Sequence, residues 1–283
     1  MRFISVPVED SRDVYQSCVD SISDSNLKAR LNAVIQYIDL VDVEYRSRAE
    51  VSSLYTIPPN NSGNDDVVLG SVTKNEFKNL YSTHMVSRSK PARAIYDSIL
   101  MGAPKGRCPF CGFGHATTLD HYLPKAKYPE MSVLPVNLIP SCKDCNTGKS
   151  ATIAVAAEDQ CLHPYYNHQR FIEEQWLFAV IHQTTPVTVT FYVKAPTHWD
   201  SVSQERVKTH FKDFNLASRY SIEAASQLSF LKHNLSTFIE YTGAKEHLSK
   251  MAQSHASENI NSWQTAMHQA LAQCDWYCEG GFA

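Results

Sequence analysis

Along the first hundred residues, apolar positions recur every third or fourth residue. Leu27, Leu31, Val34, Ile35, Ile38 and Val41 form one stripe, so residues 10–56 read as helical, with Asp24 or Ser25 placed as a cap. Pro58, Pro59 and the polar run from Asn60 to Asp66 interrupt that pattern with an exposed loop. Helical spacing resumes at Phe77, Leu80, Tyr81 and Met85, and again from Pro91 through Ile95, Ile99 and Leu100 to a stop at Gly102. From 103 to 166 the periodicity gives way to Pro, Gly, Cys and short apolar runs. Residues 171–181 are ambiguous. Val187, Val189, Phe191 and Val193 then alternate with Thr188, Thr190 and Tyr192, which predicts a strand near 187–193. Val207, Phe211 and Phe214, then Leu228, Leu231, Leu235 and Phe238, and finally Trp263, Met267, Ala270, Leu271 and Cys274 return to helical spacing. The pattern predicts an α+β chain in three regions: a helical 1–104, a small irregular module over 105–166, and a mainly helical 167–283.

Composition adds little at first. The 283 residues are 43% hydrophobic and 19% charged, which is ordinary globular chemistry. Apolar runs are too short for a membrane span, and the acidic start MRFISVPVEDSRD does not read as a secretory signal, so a cytoplasmic protein without membrane attachment is expected. A net charge of −3 argues mildly against a polyanionic partner.

Eight cysteines change the picture. Cys108 and Cys111 form one C-x-x-C pair, and Cys142 and Cys145 a second. Two such turns supply the four thiolates of a closed tetrahedral zinc site. The alternatives are a redox pair, which would explain one C-x-x-C but not two, and buried free thiols; a structural zinc is the expectation. Cys274 and Cys278 lack a second pair and read as core residues, as do the aromatic residues Trp263, Trp276 and Tyr277 of the last helix.

Between the knuckles lies a polar constellation. Thr117–Leu119 leads into Asp120-His121, Asn137 follows sixteen residues after the histidine, Val136–Ile139 leads to the second knuckle, and Asn146 begins NTGKSATIAVAA, which can form a helix. The order is strand, loop, strand, helix. This pattern, D-H, a middle Asn, then C-x-x-C-N-x-x-K, resembles the HNH endonuclease family. The resemblance implies a zinc-stapled ββα-metal nuclease module carried within the helical body. It implies Asp120 as a ligand of the catalytic metal, His121 as general base, Asn137 as a brace for the histidine's loop, Asn146 as second ligand and Lys149 as a phosphate contact. Asn146 stands where many members carry His. The flanks ARAIYDSILMGAPKGRCPFCG, LHPYYN and NSWQTAMHQALAQCDWYCEGGFA resemble a bacterial group of HNH proteins, and some nucleases of similar build act in anti-phage defence beside an ATPase. In that setting an ATPase partner would be expected.

The chemistry agrees with the resemblance. A carboxylate and an amide oxygen are hard ligands suited to Mg²⁺ or Mn²⁺, which neutralises charge developing on a phosphodiester. An imidazole, with an ordinary pKa of about 6.5, takes a proton from water near neutrality. Neighbours on a strand face opposite sides, so Asp120 and His121 can serve together only if the strand ends there, and Pro124 favours that. Lys125 and Lys127 are further candidates for phosphate contacts. His115 reads as a loop residue, and His163 as either a cleft or a packed residue. Residues 86–150 carry nine basic and four acidic side chains, a net of +5 that leaves −8 elsewhere. The charge a nucleic acid requires is therefore local. The expected activity is hydrolysis of DNA. The alternative is a zinc-stabilised adaptor that binds nucleic acid or protein without cutting.

Overall fold

The computed structural model describes residues 1–148, 153–238 and 240–282. The chain divides into two compact units, one spanning Phe3–Asn167 and the other running from His168 onward and including Met1–Arg2. It is mixed α and β, mostly helical, with two-stranded antiparallel sheets. Among the described residues no helix is long and apolar enough to cross a membrane.

In the first unit the helical run expected over 10–56 is broken into α1 (Ser11–Asp20), α2 (Ser25–Asn32) and α3 (Ile35–Glu50). Two starts are set by aspartates. Asp10 accepts from the N–H groups of Arg12 and Asp13, and Asp24 from those of Asn26 and Leu27. After the 58–66 loop comes a hairpin that the patterning does not announce, β1 (Val67–Leu69) and β2 (Val72–Thr73). It turns at Gly70, whose φ of +58° and close approach to Val34 favour glycine. A Thr73–Glu76 capping box then opens α4 (Lys74–Asn79), followed by a π-helical turn at Leu80–Met85 and by α5 (Arg93–Met101). Arg30 grips both oxygens of Glu76 at 2.8 and 2.5 Å and so ties α2 to α4.

Strand β3 (Thr118–His121) pairs with β4 (Leu138–Ser141), with Asp120 opposite Ile139 and His121 opposite Leu138. Helix α6 (Lys143–Gly148) follows. The helix expected from Cys145 onward thus begins two residues earlier, and residues 153–156 are not helical. Leu119, Val133 and Leu138 share one apolar core with Val14, Leu31, Phe77 and Ile99. The stretches read as separate regions, 1–104 and 105–166, therefore bury a common interior.

In the second unit, α7 (Arg170–Glu173) and β5 (Leu177–His182) replace the ambiguous stretch. β5 pairs with β6 (Thr188–Val193), which buries Val189 and Phe191 and exposes Thr188, Thr190 and Tyr192. The rest is helical: α8 (Ser201–Asp213), α9 (Leu216–Phe238), α10 (Glu240–Glu258) and α11 (Trp263–Gln273). Helices α9 and α11 cover the hairpin, and α10 lies along α11. Trp263, Tyr277 and Cys278 are buried here, Trp276 is half-buried, and Cys274 ends α11.

Candidate functional site

The cysteine cluster forms from two local turns. In the first, the Gly112 N–H donates to the Cys108 carbonyl at 2.8 Å, and Gly112 takes a φ of +79°. The second straddles the start of α6, where the Asn146 N–H donates to the Cys142 carbonyl at 3.0 Å. A helical turn sets residues three apart on one side, so Cys142 and Cys145 face the same way. All four cysteines are buried, and their Sγ atoms lie within 4.8 Å of one another, with Cys111 and Cys142 at 3.9 Å. A tetrahedral zinc with bonds of about 2.3 Å requires sulfur separations of about 3.8 Å. The donor set fits. The Gly114 N–H points to the Cys111 Sγ at 3.4 Å, and a Cβ on Gly114 would sit 2.9 Å from the Cys142 Sγ, so the shell around the sulfurs is closed. Sharing of hydrogen bonds among the thiols pulls Cys142 and Cys111 below the ordinary thiol value, Cys111 to about 6, and pushes Cys108 and Cys145 above it. A buried four-cysteine group of this kind can hold a metal such as zinc.

The polar constellation hangs between these turns. Asp120 and His121 are both buried, and both lie within β3, paired with Ile139 and Leu138, so the strand runs through the pair and the two side chains leave it from opposite faces. Nε2–H of His121 donates to the Ser132 carbonyl at 2.8 Å, and the ring stands edge-on against Tyr81 with centroids 4.4 Å apart. Ser132 belongs to the long loop between β3 and β4, and Asn137 holds that loop. Its Oδ1 accepts from the Leu123 N–H at 2.7 Å, and its Nδ2 donates to the carbonyls of Leu123 and Met131 at 3.0 and 3.1 Å. Asn137 is fully buried and satisfied, so it positions the loop. On the other side, Asn146 in α6 donates through Nδ2 to Thr118 Oγ1 at 3.0 Å. Thr118 and Asp120 are two apart on one strand and share a face, so this bond sets the Asn146 amide on the side of the sheet that carries Asp120.

Of the flanking candidates, Lys125 donates to Ser82 and lies 4.6 Å over the Tyr81 ring, and Lys127 donates to Asn61. Lys149 lies outside the described residues. His115 is exposed. His163 is buried, accepts the Tyr165 N–H on Nδ1, and meets the Tyr45 hydroxyl through Nε2 at 3.0 Å, so it has the packed role.

The chain is 31% identical to Protein ea31 of Escherichia phage lambda over 298 residues, covering 99% of this chain and 100% of that protein. The chain belongs to the ea31 family. No protein-family model matches it, and no solved structure matches it. The likeness to ea31 spans both units, so the family is defined by more than the cysteine-bearing segment. In this ea31 relative, sequence reasoning missed four residues that set the site. Tyr81 donates its hydroxyl to the Leu119 carbonyl at 2.8 Å, and Tyr96 accepts the Leu119 N–H at 3.0 Å, so two helix-borne tyrosines grip β3 one residue before Asp120. Burial drives the Tyr81 hydroxyl above its usual range, with the charges of neighbours including Asp120 adding to the shift. Thr118 was read only as part of an apolar run. Ser132 acts through its carbonyl, which any residue could offer, so no sequence signal marks it.

Proposed function

We propose that this chain is a metal-dependent HNH endonuclease whose ββα-metal core is β3, β4 and α6, and that it hydrolyses phosphodiester bonds of DNA. One observation carries the reading: the Thr118–Asn146 bond sets a helix-borne amide on the strand face of Asp120, and the next residue of the strand is a histidine whose ring is fixed by the Ser132 carbonyl. Donation from Nε2 makes Nδ1 the basic nitrogen of the neutral ring, the atom that would take the proton from water. Tyr81 backs that ring, and Asn137 holds the loop that supplies Ser132, so the ring and the loop together orient the base. Asp120 and the Asn146 amide oxygen would hold a hard divalent cation such as Mg²⁺ or Mn²⁺, which supplies charge neutralisation at the scissile phosphate. The four cysteines hold zinc and staple the strand entry to the helix.

The test is cleavage of supercoiled plasmid in Mg²⁺ and in Mn²⁺. His121→Ala should lose about 10²–10⁴-fold in rate while keeping its zinc and circular dichroism spectrum. A variant that cuts at the wild-type rate overturns the assignment. A folded, zinc-loaded wild type that binds DNA and never cuts it would favour the non-catalytic adaptor instead.

A further inference from the structure

The loop after His121 meets a surface that the charge count by sequence segment hides. Lys74 and Lys78 on α4 lie in the part of the chain counted as acidic, yet the fold gathers them with Lys125 and Lys127. Nζ of Lys127 donates to Asn61 Oδ1 at 2.7 Å, and the Lys127 carbonyl accepts the Asn60 N–H at 2.8 Å. Lys74 donates to the carbonyls of Asn60 and Ser62 at 3.1 and 2.9 Å. Lys78 donates to Asn64 Oδ1 at 3.0 Å. Lys125 donates to Ser82 Oγ at 2.8 Å, and that hydroxyl bonds the Lys78 carbonyl one turn back on the same helix.

Every one of these partners is a neutral amide, hydroxyl or carbonyl. Among the described residues none of the four lysines forms an ion pair. Asp66 and Glu130 are the carboxylates whose charges reach Lys74, and neither pairs with it. The ammonium groups feel one another. Burial and then the charges of Lys127 and Lys78 lower the Lys74 pKa, and burial and then Lys78 lower that of Lys125. Folded surfaces ordinarily intersperse the two signs, and a cluster in which one sign outnumbers the other works against folding. Such a local conflict is expected where a surface meets an external anion. Lys74 and Lys78 stand one helical turn apart, about 6 Å, with the Lys74 ammonium turned into the Asn60 and Ser62 carbonyls and Lys78 left half-exposed. Lys125 connects the group to the candidate base, because the Tyr81 ring under its ammonium is the ring against which His121 stands.

We propose that Lys74, Lys78 and Lys127, tied to the Asn60–Asn64 loop, together with Lys125, tied to Ser82, form a track for the phosphodiester backbone of DNA that leads to His121. Lys74 is the buried anchor of the loop, and Lys78 and Lys127 are the half-exposed contacts. The end point of the track rests on the nuclease reading. The track itself does not.

The experiment measures anisotropy of a short fluorescein-labelled DNA duplex titrated with the full-length, zinc-loaded protein across a salt series, without added Mg²⁺ or Mn²⁺. Each lost phosphate contact lowers the slope of log affinity against log salt by about 0.9. The variant Lys78→Gln/Lys127→Gln should therefore lower it by about two contacts' worth, so that a fourfold rise in salt weakens the variant about tenfold less than the wild type. Lys78→Arg/Lys127→Arg should restore the slope, and Lys208→Gln/Lys250→Gln on α8 and α10 should leave it unchanged. An unchanged slope in the first variant, an equal change in the α8/α10 control, or no binding by the wild type overturns the track. If the first variant loses its slope while no metal supports cleavage by the wild type, the track stands and the nuclease reading falls. If the wild type cuts DNA and the slopes coincide, the nuclease reading stands and the track falls.

Discussion

Asn137→Ala removes the brace of the β3–β4 loop at its one fully buried side-chain amide. Three hydrogen bonds disappear, to the Leu123 N–H and to the carbonyls of Leu123 and Met131. At about 1 kcal/mol net each, plus a further kcal/mol or so for the Leu123 N–H left in the interior, the loss comes to about 4 kcal/mol. With a urea dependence of about 2 kcal/mol per molar, the unfolding midpoint of the first unit should fall by about 2 M. The chain contains its own control, because Trp176, Trp199, Trp263 and Trp276 all lie beyond residue 168. Tryptophan fluorescence therefore follows the second unit, and far-ultraviolet circular dichroism follows both. The dichroism curve should acquire an earlier transition while the fluorescence curve stays in place. Asn137→Asp separates bonding from packing. It keeps the shape and the acceptor for Leu123 but turns an oxygen toward two carbonyls, so it should be at least as damaging as the alanine. A dichroism midpoint within about 0.5 M of wild type for either variant, a loss near 1 kcal/mol, would refute the bracing role.

Metal analysis should find one zinc per chain. Cys108→Ser, or removal of the metal with a strong chelator, should unfold the first unit, since structural zinc contributes about 10–16 kcal/mol against a typical domain stability of about 5–15. Persistence of that unit's native dichroism without metal would exclude a structural zinc. Gly114→Ala places a Cβ 2.9 Å from the Cβ and Sγ of Cys142. Such crowding costs about 2 kcal/mol and should weaken zinc retention roughly thirtyfold, as read by competition with a chromogenic chelator. Gly148→Ala, where a Cβ meets nothing within 4 Å, should retain zinc as the wild type does, and an equal loss there would sink the steric explanation.

What could be read from the sequence was what short-range spacing encodes. A four-thiolate site needs its ligands three apart in two turns, so Cys108, Cys111, Cys142 and Cys145 are visible as a pattern before any fold is known. The strand, loop, strand, helix order around Asp120, His121 and Asn137 follows from two short apolar runs. The rest is hidden for physical reasons. Strands of two and three residues, as in the β1–β2 hairpin, are too short to show alternation. The start of α6 two residues before Cys145 follows from the geometry of the cysteine turn, with no apolar stripe to mark it. The His121 acceptor is a main-chain carbonyl and leaves no trace in residue type. Lys74 and Lys78 escaped because charge was counted along the chain, whereas the 60–64 loop folds them against residues some fifty positions away.

The two tyrosines that clamp Leu119 decide how portable the cysteine-bearing segment is. Tyr81 and Tyr96 take up both main-chain groups of a residue in the strand that carries Asp120 and His121, and Leu119 itself lies in the same apolar interior as Val14 and Phe77. The segment therefore lacks a finished back surface of its own. Excised at residue 105, it would expose Leu119, Val133 and Leu138 and leave the amide of Leu119 without its acceptor. Transplanting the candidate site into another scaffold would mean carrying along the helices that bear Tyr81 and Tyr96, which grip the very strand that holds Asp120 and His121.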